Sequence, residues 1–151
     1  MRNAQTIASG TLQIERVAPG LFTISADGQG VPAALAIFVK PDGSQTWQYV
    51  FNPGCQLSAC QPAPLDLGAA ADVVFLQLYG TGIRGRSSLA AVTAKIGGVD
   101  APVEYVGPVS GLVGLDQANL RVPRSLVGRG QVDIILTVDG KTANAVRVNI
   151  M

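Results

Sequence analysis

Two cysteines, Cys55 and Cys60, are the residues whose type and spacing most directly suggest chemistry. They stand in a C-x4-C arrangement within a predicted loop, 52–64, that also contains glycine and proline. In an exported protein such a pair forms a disulfide, whereas in a reducing compartment it stays as two free thiols. Zinc would need two further ligands, and thioredoxin-like exchange would need closer spacing at the start of a helix.

Histidine is absent from all 151 residues. Its absence removes the commonest general base and the commonest transition-metal ligand, and it excludes Ser-His-Asp and Cys-His catalysis within this chain. The carboxylates Asp66, Asp72, Asp116 and Asp139 are scattered singly, without the D-x-D-x-D run of a calcium loop and without a recognisable acid–base pair. We therefore expect no catalytic residue, no metal site, no cofactor and no enzyme activity.

The glycines after a long apolar run, in Gly80-Thr81-Gly82, superficially match part of a dinucleotide-binding loop. That fingerprint needs a third glycine at the right offset, a following helix and an acidic residue about 20 positions later. Here the next glycine is Gly85, and the segment after it is polar without helical periodicity. The sequence therefore favours a tight turn whose glycines adopt positive φ.

Two groups of side chains are candidates for binding. Trp47, Tyr49 and Phe51 alternate along one strand, so they either pack a hairpin onto the body of the protein or form an exposed platform for a sugar; we expect packing. The second group is cationic, and a sandwich topology could bring its two loops to one end as an anion-binding patch. We favour the simpler explanation that these arginines are solvated or bond to loop carbonyls; they are Arg84, Arg86, Arg124 and Arg129.

The composition indicates a folded, strand-rich protein. Hydrophobic residues make up 48% and charged residues 14%, and 18 glycines and 9 prolines are spread along the chain. No helical pattern of 10 or more residues is present, and turn signals recur at the spacing of an antiparallel sandwich. The first ten residues are polar and predict a frayed lead-in. The predicted strands are 11–17, 33–39, 46–51, 65–67, 72–79, 92–96, 99–106, 115–122, 131–138 and 143–150.

The strand 72–79 is expected to be central and buried on both sides, because it is almost continuously apolar. Strands 33–39 and 46–51 flank the turn Pro41-Asp42-Gly43-Ser44 and predict a hairpin. We divide the chain into an N-terminal hairpin subdomain, 1–64, and a main sandwich domain, 65–151.

Four motifs in combination resemble a known family: Gly80-Thr81-Gly82, Gly97-Gly98, Gly114-Leu115-Asp116-Gln117, and Val138-Asp139-Gly140 before Ala143-Asn144. Over roughly 17–150 the chain resembles the uncharacterised Solibacter-type C-terminal domain family of exported acidobacterial proteins. The second half is similar, more distantly, to Ig-like domains of the IPT/TIG type. The resemblance implies an all-β, antiparallel, early-set Ig-like sandwich with an N-terminal hairpin extension, in an extracellular or envelope setting. The cysteine loop departs from that family pattern.

These observations lead to an expected function. We expect a non-catalytic Ig-like module of an exported or cell-surface bacterial protein with structural, adhesion or assembly roles. The alternatives are a carbohydrate- or polymer-binding module, with a glycan as ligand, and a self-assembling subunit that pairs through edge strands 11–17 or 143–150. The expected partners are other domains of a larger protein or copies of this chain.

Nucleic acid and insertion into a membrane are not expected. The net charge is +1 without basic or acidic blocks, and no apolar run approaches the roughly 20 residues of a membrane span. The N-terminus lacks the apolar core of a signal peptide, so the protein is either cytosolic or an excised piece of a larger exported protein. We favour the excised piece, because the chain begins with a polar lead directly into a strand pattern.

Overall fold

The computed structural model describes residues 10–56 and 59–151. The strands in this part are β1 (Gly20–Leu21), β2 (Ala34–Val39), β3 (Gln45–Tyr49), β4 (Pro64–Leu65), β5 (Val73–Thr81), β6 (Val92–Ile96), β7 (Val99–Asp100), β8 (Val103–Pro108), β9 (Asp116–Arg121), β10 (Gly130–Val138), β11 (Lys141–Thr142) and β12 (Val146–Ile150). Short 3-10 helices occupy Leu89–Ala91 and Arg124–Leu126. The predicted lead-in lies outside the described residues except for Gly10.

The strands form two facing sheets, confirming the expected all-β, antiparallel Ig-like sandwich. Sheet I has the order β3-β2-β5-β9-β8 with β1 added beside β5, and sheet II has the order β4-β12-β10-β6-β7 with β11 beside β10. From β4 onward the order matches the immunoglobulin topology: β5, β9 and β8 take the positions of B, E and D, and β6, β10 and β12 those of C, F and G. Only the β4–β12 pair is parallel among the named strands.

The predicted N-terminal hairpin is present as β2 and β3, and it continues sheet I. Strand β2 pairs with β5 over six residues, from Ala34 opposite Leu78 to Val39 opposite Val73. The turn between β2 and β3 contains Gly43 at φ 82°, as its sequence predicts. Buried side chains from residues 17–50 belong to the same hydrophobic core as those of the sandwich.

Strand β5 is central, but it is not buried on both sides as expected. Its inward residues Val74, Leu76 and Leu78 are at most 2% exposed, while Phe75 and Gln77 between them are only half-buried. Sheet II covers one face of sheet I, so the pleat of β5 sends alternate side chains to a face that sheet II does not reach. Gln77 interrupts the apolar run because it points to that second face.

Residues 11–17 do not form the predicted strand. Leu12 and Ile14 are 84% and 87% exposed, and only Val17 reaches the core. The alternating pattern of this segment is not enough to form a strand, because no other strand lies beside it in the described structure. The other predicted edge, 143–150, is also wrong: β12 lies between β4 and β10, and its Arg147 N–H donates to the Gly30 carbonyl at 2.7 Å.

The predicted strand 99–106 is divided between the two sheets. Strand β7 pairs with β6 after the Gly97-Gly98 turn, as the sequence predicts, but β8 pairs with β9 in the opposite sheet. The chain crosses at Ala101 and Pro102, where proline supplies no N–H to continue the first pairing. The apolar pattern continues from β7 into β8, although they belong to different sheets, because both strands bury side chains in the core between the sheets.

Gly80, near the end of β5, and Gly82, just after it, are required for different reasons. Gly82 has φ 71°, as the predicted turn demands. Gly80 does not have positive φ; instead, a Cβ at this position would overlap the Gly20 carbonyl oxygen where β1 crosses β5. The expectation of positive φ is therefore right for Gly82 and wrong for Gly80.

One amide side chain ties the N-terminal segment to the last part of the sandwich. Asn144 Oδ1 accepts from the Leu21 N–H at 2.8 Å, and Asn144 Nδ2 donates to the carbonyls of Leu21 at 3.1 Å and Gly28 at 2.8 Å. The amide thereby takes the place of a neighbouring strand for Leu21, which lies 123 residues away in sequence.

We expect Asn144→Ala to lower the free energy of unfolding by about 1–2 kcal/mol, because it leaves the partly buried N–H and carbonyl of Leu21 without partners. Urea denaturation followed by circular dichroism measures this loss. Asn52→Ala, which changes an exposed loop amide, is the control and should shift stability by no more than about 0.5 kcal/mol. Equal effects of the two variants would contradict the assigned role.

Candidate functional site: the outer face of sheet I

The face of sheet I that points away from sheet II carries an unusual set of side chains. The pleat brings alternate residues of β3, β2, β5, β9 and β8 onto this face. We call it the aromatic face and define it by Leu35, Ile37, Trp47, Tyr49, Phe51, Phe75, Gln77, Tyr79, Tyr105, Gln117, Asn119 and Arg121.

Strand register arranges these side chains in rows that cross the sheet. One row runs from Trp47 through Ile37 and Phe75 to Arg121, each residue lying opposite the next on neighbouring strands. The Arg121 guanidinium lies over the Phe75 ring, 5.7 Å from its centroid, and its Nε is 3.2 Å from the Glu104 carboxylate. The charge at the end of this row is therefore balanced.

The next row has a tyrosine at each end and amides in the middle. It runs from Tyr49 through Leu35, Gln77 and Asn119 to Tyr105. Since neighbouring strands are about 4.8 Å apart, the row spans roughly 19 Å. Tyr105 folds toward the edge of the sheet, where its hydroxyl donates to the Pro108 carbonyl at 2.8 Å.

The hairpin aromatics form a contiguous and largely exposed group. The Trp47 and Tyr49 rings meet edge to face with centroids 5.4 Å apart, and the Tyr49 and Phe51 centroids are 4.9 Å apart. Trp47 is 59% exposed and Tyr49 is 41% exposed. We expected this stripe to pack onto the body, which is wrong for Trp47 and Tyr49 because sheet II lies on the other side of β3. Only Phe51 is partly buried against the core.

Two shallow depressions lie on this face. One, of about 270 Å³, is lined mainly by apolar and aromatic side chains, among them Leu35, Trp47, Tyr49 and Tyr79. The other, of about 280 Å³, lies beside Phe75 and is lined also by Gln77 and Asn119. The face therefore offers apolar hollows next to polar groups.

The amides of the aromatic face retain hydrogen-bonding capacity. Gln117 Nε2 donates to Asn119 Oδ1 at 2.8 Å, which orients both side chains. This bond leaves the Asn119 NH₂ and the Gln117 carbonyl available, since each amide has both donors and acceptors. Within the described ranges the Gln77 amide makes no side-chain hydrogen bond. The face can thus both stack on a ligand and hydrogen-bond to it.

The outer face of sheet II has a different character. Thr93, Lys95, Asp133, Thr137 and Arg147 are on it. Arg147 Nε donates to Asp133 at 2.7 Å, and this hydrogen bond raises the pKa of the Arg147 guanidinium. Such a surface is ordinary for a solvated sheet, whereas exposed contiguous aromatic side chains make the outer face of sheet I the candidate site.

A larger cleft of about 590 Å³ lies elsewhere, beside loop 24–31 and the start of β12. Its polar groups are largely bonded to one another or to the backbone. Ser25 Oγ donates to Asp27, Asp27 also accepts from the Gln29 N–H at 2.9 Å, and the Arg147–Asp133 pair occupies the far wall. These contacts stabilise the Asp27–Gly28 turn and lower the pKa of Asp27 through the Ser25 hydrogen bond, so the cleft leaves little for a ligand.

The four candidate arginines do not form one patch. Arg84 and Arg86 follow the last residue of β5, whereas Arg124 and Arg129 follow β9 near the beginning of β5. The two ends of β5, which has nine residues, are roughly 26 Å apart. The grouping at one end of the sandwich, which the sequence left open as the less favoured alternative, is therefore not found, because β5 and β9 run in opposite directions.

Two of the arginines have structural partners. Arg124 donates to the carbonyls of Leu67 and Gly68, the carbonyl bonding considered in the sequence interpretation. Arg84 pairs through Nε with Asp116 and donates to the Leu115 carbonyl at 2.8 Å. Of the others, Arg129 is exposed, and the buried Nε of Arg86 has no partner among the described residues.

Asp116 is the buried carboxylate that organises the loop after β5. It is 1% exposed and accepts from the Ile83 N–H at 2.8 Å, from the Arg84 N–H at 3.0 Å and from Arg84 Nε. These contacts satisfy its charge away from water. Asp116 and Arg84 are thus explained as structural residues.

We expect Asp116→Ala to destabilise the fold by about 2–3 kcal/mol, because the buried Ile83 N–H loses its acceptor and Arg84 loses its counter-charge. Asp100→Ala is the matched control, since its ion pair with Lys95 is exposed and should contribute no more than about 0.5 kcal/mol. Guanidinium denaturation of both variants tests this difference. Similar midpoints for Asp116→Ala and the parent protein would contradict it.

The cysteines form a disulfide, with Cα atoms 5.1 Å apart. It lies within the loop that follows β3, and the bridge between Phe51 and Pro62 joins the two ends of that loop. Within the described residues no group of three or more His, Cys, Asp or Glu side chains converges as a metal site.

We expect the double variant Cys55→Ser, Cys60→Ser to be less stable by about 2 kcal/mol, because the disulfide restricts a short loop in the unfolded chain. Thermal melts with and without reductant provide the check: reductant should lower the melting temperature of the parent and leave that of the double variant unchanged. A reductant effect of equal size on both proteins would overturn this assignment.

Comparison of the chain with protein-family models, curated proteins and solved structures returned no match. No helix in the described ranges is long and apolar enough to cross a membrane. The sequence identified the Trp47 stripe but not the rest of the face, including Phe75, Gln77, Tyr105 and Asn119. One signal in the sequence could have revealed this face: Gln77 is a polar residue within an otherwise apolar strand, which indicates that its side chain points outward.

Proposed function

We propose that the protein is a non-catalytic Ig-like module of an exported or cell-surface bacterial protein and that its aromatic face binds a neutral polysaccharide. The observation that carries this proposal is the exposure of Trp47 and Tyr49 on the same face as the amides of Gln77 and Asn119. The disulfide supports an oxidising compartment, in agreement with the exported setting that the family resemblance implies.

The chemistry of the face favours a sugar polymer. A pyranose ring has apolar C–H faces that stack on aromatic rings and equatorial hydroxyls that need both donors and acceptors. Trp47 and Tyr49 supply the rings, and Gln77 and Asn119 supply amides with both functions. A face about 19 Å wide accommodates several sugar units, so an extended chain fits better than one small molecule.

The charge of the face favours a neutral polymer over an acidic one. Its charged member, Arg121, is paired with Glu104 and lies against Phe75. Binding that depends on stacking and neutral hydrogen bonds changes little with ionic strength, in contrast to binding by a cationic patch. A neutral glycan and a polyanion can therefore be distinguished by their response to salt.

We expect Trp47→Ala and Tyr49→Ala each to weaken binding by roughly 30-fold or more, corresponding to about 2 kcal/mol, because aromatic side chains contribute most of the binding energy in such interfaces. The measurement is affinity electrophoresis against soluble glucan, xylan, mannan and galactan, followed by calorimetry with the best ligand. Raising the salt from about 50 mM to about 500 mM should leave the affinity nearly unchanged.

The control is Leu112→Ala, which removes an exposed apolar side chain in the loop between β8 and β9, away from the face. It should bind like the parent protein. The absence of binding to every neutral polymer would overturn the proposal, as would retention of affinity by Trp47→Ala with a native circular dichroism spectrum. Binding that is restricted to acidic polymers and lost in salt would indicate a different site.

A further inference from the structure

The edges of the two sheets differ in how they are protected against pairing with another strand. An exposed edge presents unpaired N–H and C=O groups, and proteins usually block it by shortness, charge, proline or a bulge. Edge strand β8 begins after Pro102, ends at Pro108, carries exposed Glu104 and has a bulge between Val103 and Tyr105. The edges of sheet II, β4 and β7, have only two residues each.

Strand β3 lacks all of these protections. It has five residues, Gln45–Tyr49, in regular register with β2 and without charge, proline or bulge. Its segment Gln-Thr-Trp-Gln-Tyr is rich in residues that favour strands. Among the edges of the described sheets, β3 is therefore the one that is open to another strand.

The hydrogen-bond parity of the hairpin shows which groups β3 offers. Lys40 N–H donates to the Ser44 carbonyl at 2.9 Å, and Val50 N–H donates to the Ala34 carbonyl at 3.4 Å. Because hydrogen-bonded pairs alternate along an antiparallel ladder, Thr46 and Gln48 bond to β2. The N–H and C=O groups of Gln45, Trp47 and Tyr49 consequently point outward.

We propose that β3 pairs with β3 of a second copy of this chain, antiparallel and about a two-fold axis at Trp47. In this register Trp47 lies opposite Trp47 of the second copy, and Gln45 lies opposite Tyr49. The outward-pointing backbone groups of Gln45, Trp47 and Tyr49 then face the corresponding groups of the second copy. The N–H and C=O of each of these residues can therefore form hydrogen bonds across the seam. No like charges oppose one another across the seam, and the interface is isologous, as closed dimers require.

The pairing joins the β3-β2-β5-β9-β8 paths of two copies into one continuous sheet. The two-fold axis is perpendicular to that sheet, so both aromatic faces lie on the same side and meet at the two Trp47 residues. A polymer that crosses one face can then continue onto the other, and a two-site contact raises avidity. The dimer itself requires no glycan and stands independently of the proposed polysaccharide binding.

The test uses the parent protein and two opposite charges at position 47, without polysaccharide. Sedimentation velocity over a concentration series should show a reversible dimer for the parent. Trp47→Lys and Trp47→Glu should each raise the dissociation constant about 100-fold or more, because residue 47 opposes itself and like charges repel. An equimolar mixture of the two variants should form a heterodimer, since the introduced lysine then faces the introduced glutamate in this register.

A variant away from both β3 and the aromatic face, Leu112→Lys in the loop between β8 and β9, is the control and should dimerise like the parent. A monomeric parent at millimolar concentration overturns the proposal, as does undiminished dimerisation of Trp47→Lys or a mixture that stays monomeric. Trp47→Cys provides a second measurement: mild oxidation should link two copies through residue 47, identified by peptide mass spectrometry. Absence of that link would equally contradict the register.

Discussion

The pairing of β5 along both of its edges is the constraint on which the rest of sheet I depends. The hairpin strand β2 occupies one edge and β9 the other, while β1 continues the first edge at Gly80. Because both neighbours are hydrogen-bonded to the same strand, their registers are fixed relative to each other. The rows from Trp47 to Arg121 and from Tyr49 to Tyr105 exist only through this shared register.

The same strand also determines which side chains are available to a ligand. Val74, Leu76 and Leu78 pack against sheet II, so the pleat requires Phe75, Gln77 and Tyr79 to face outward. A slip of one residue would exchange the two sets and place Gln77 in the core without partners. Burial of the inward set therefore holds the outward set in position, and the stability of the core and the geometry of the aromatic face have one cause.

The sequence predicts the fold well where local signals and tertiary partners agree. The hairpin and the strands 92–96, 115–122 and 131–138 combine alternation with turn residues at their ends, and they are confirmed. The prediction for 11–17 failed because alternation describes a strand only when another strand lies beside it. The interpretation of strand 72–79 failed differently: a long apolar run does not reveal that one of its faces is left uncovered.

The candidate site was only partly accessible from the sequence for a related physical reason. Trp47 and Tyr49 are neighbours along one strand, so their shared face follows from the period of two. Gln77, Tyr105 and Asn119 join them only through pairing across the sheet, which no local pattern specifies. The grouping of arginines failed on the same point, since strand direction separates Arg84 from Arg124 although both follow strands of sheet I.

The open edge at β3 and the exposed rings on it are best understood together. Trp47 and Tyr49 leave β3 perpendicular to the sheet, while their N–H and C=O groups leave it in the plane of the sheet. The rings can therefore contact a ligand on the face without competing for the backbone groups at the edge. A charged residue in β3 would protect the edge but would also place charge on or beside the neutral aromatic face. The proposed pairing with a second copy removes that conflict, because it satisfies the edge without adding a charge to the face.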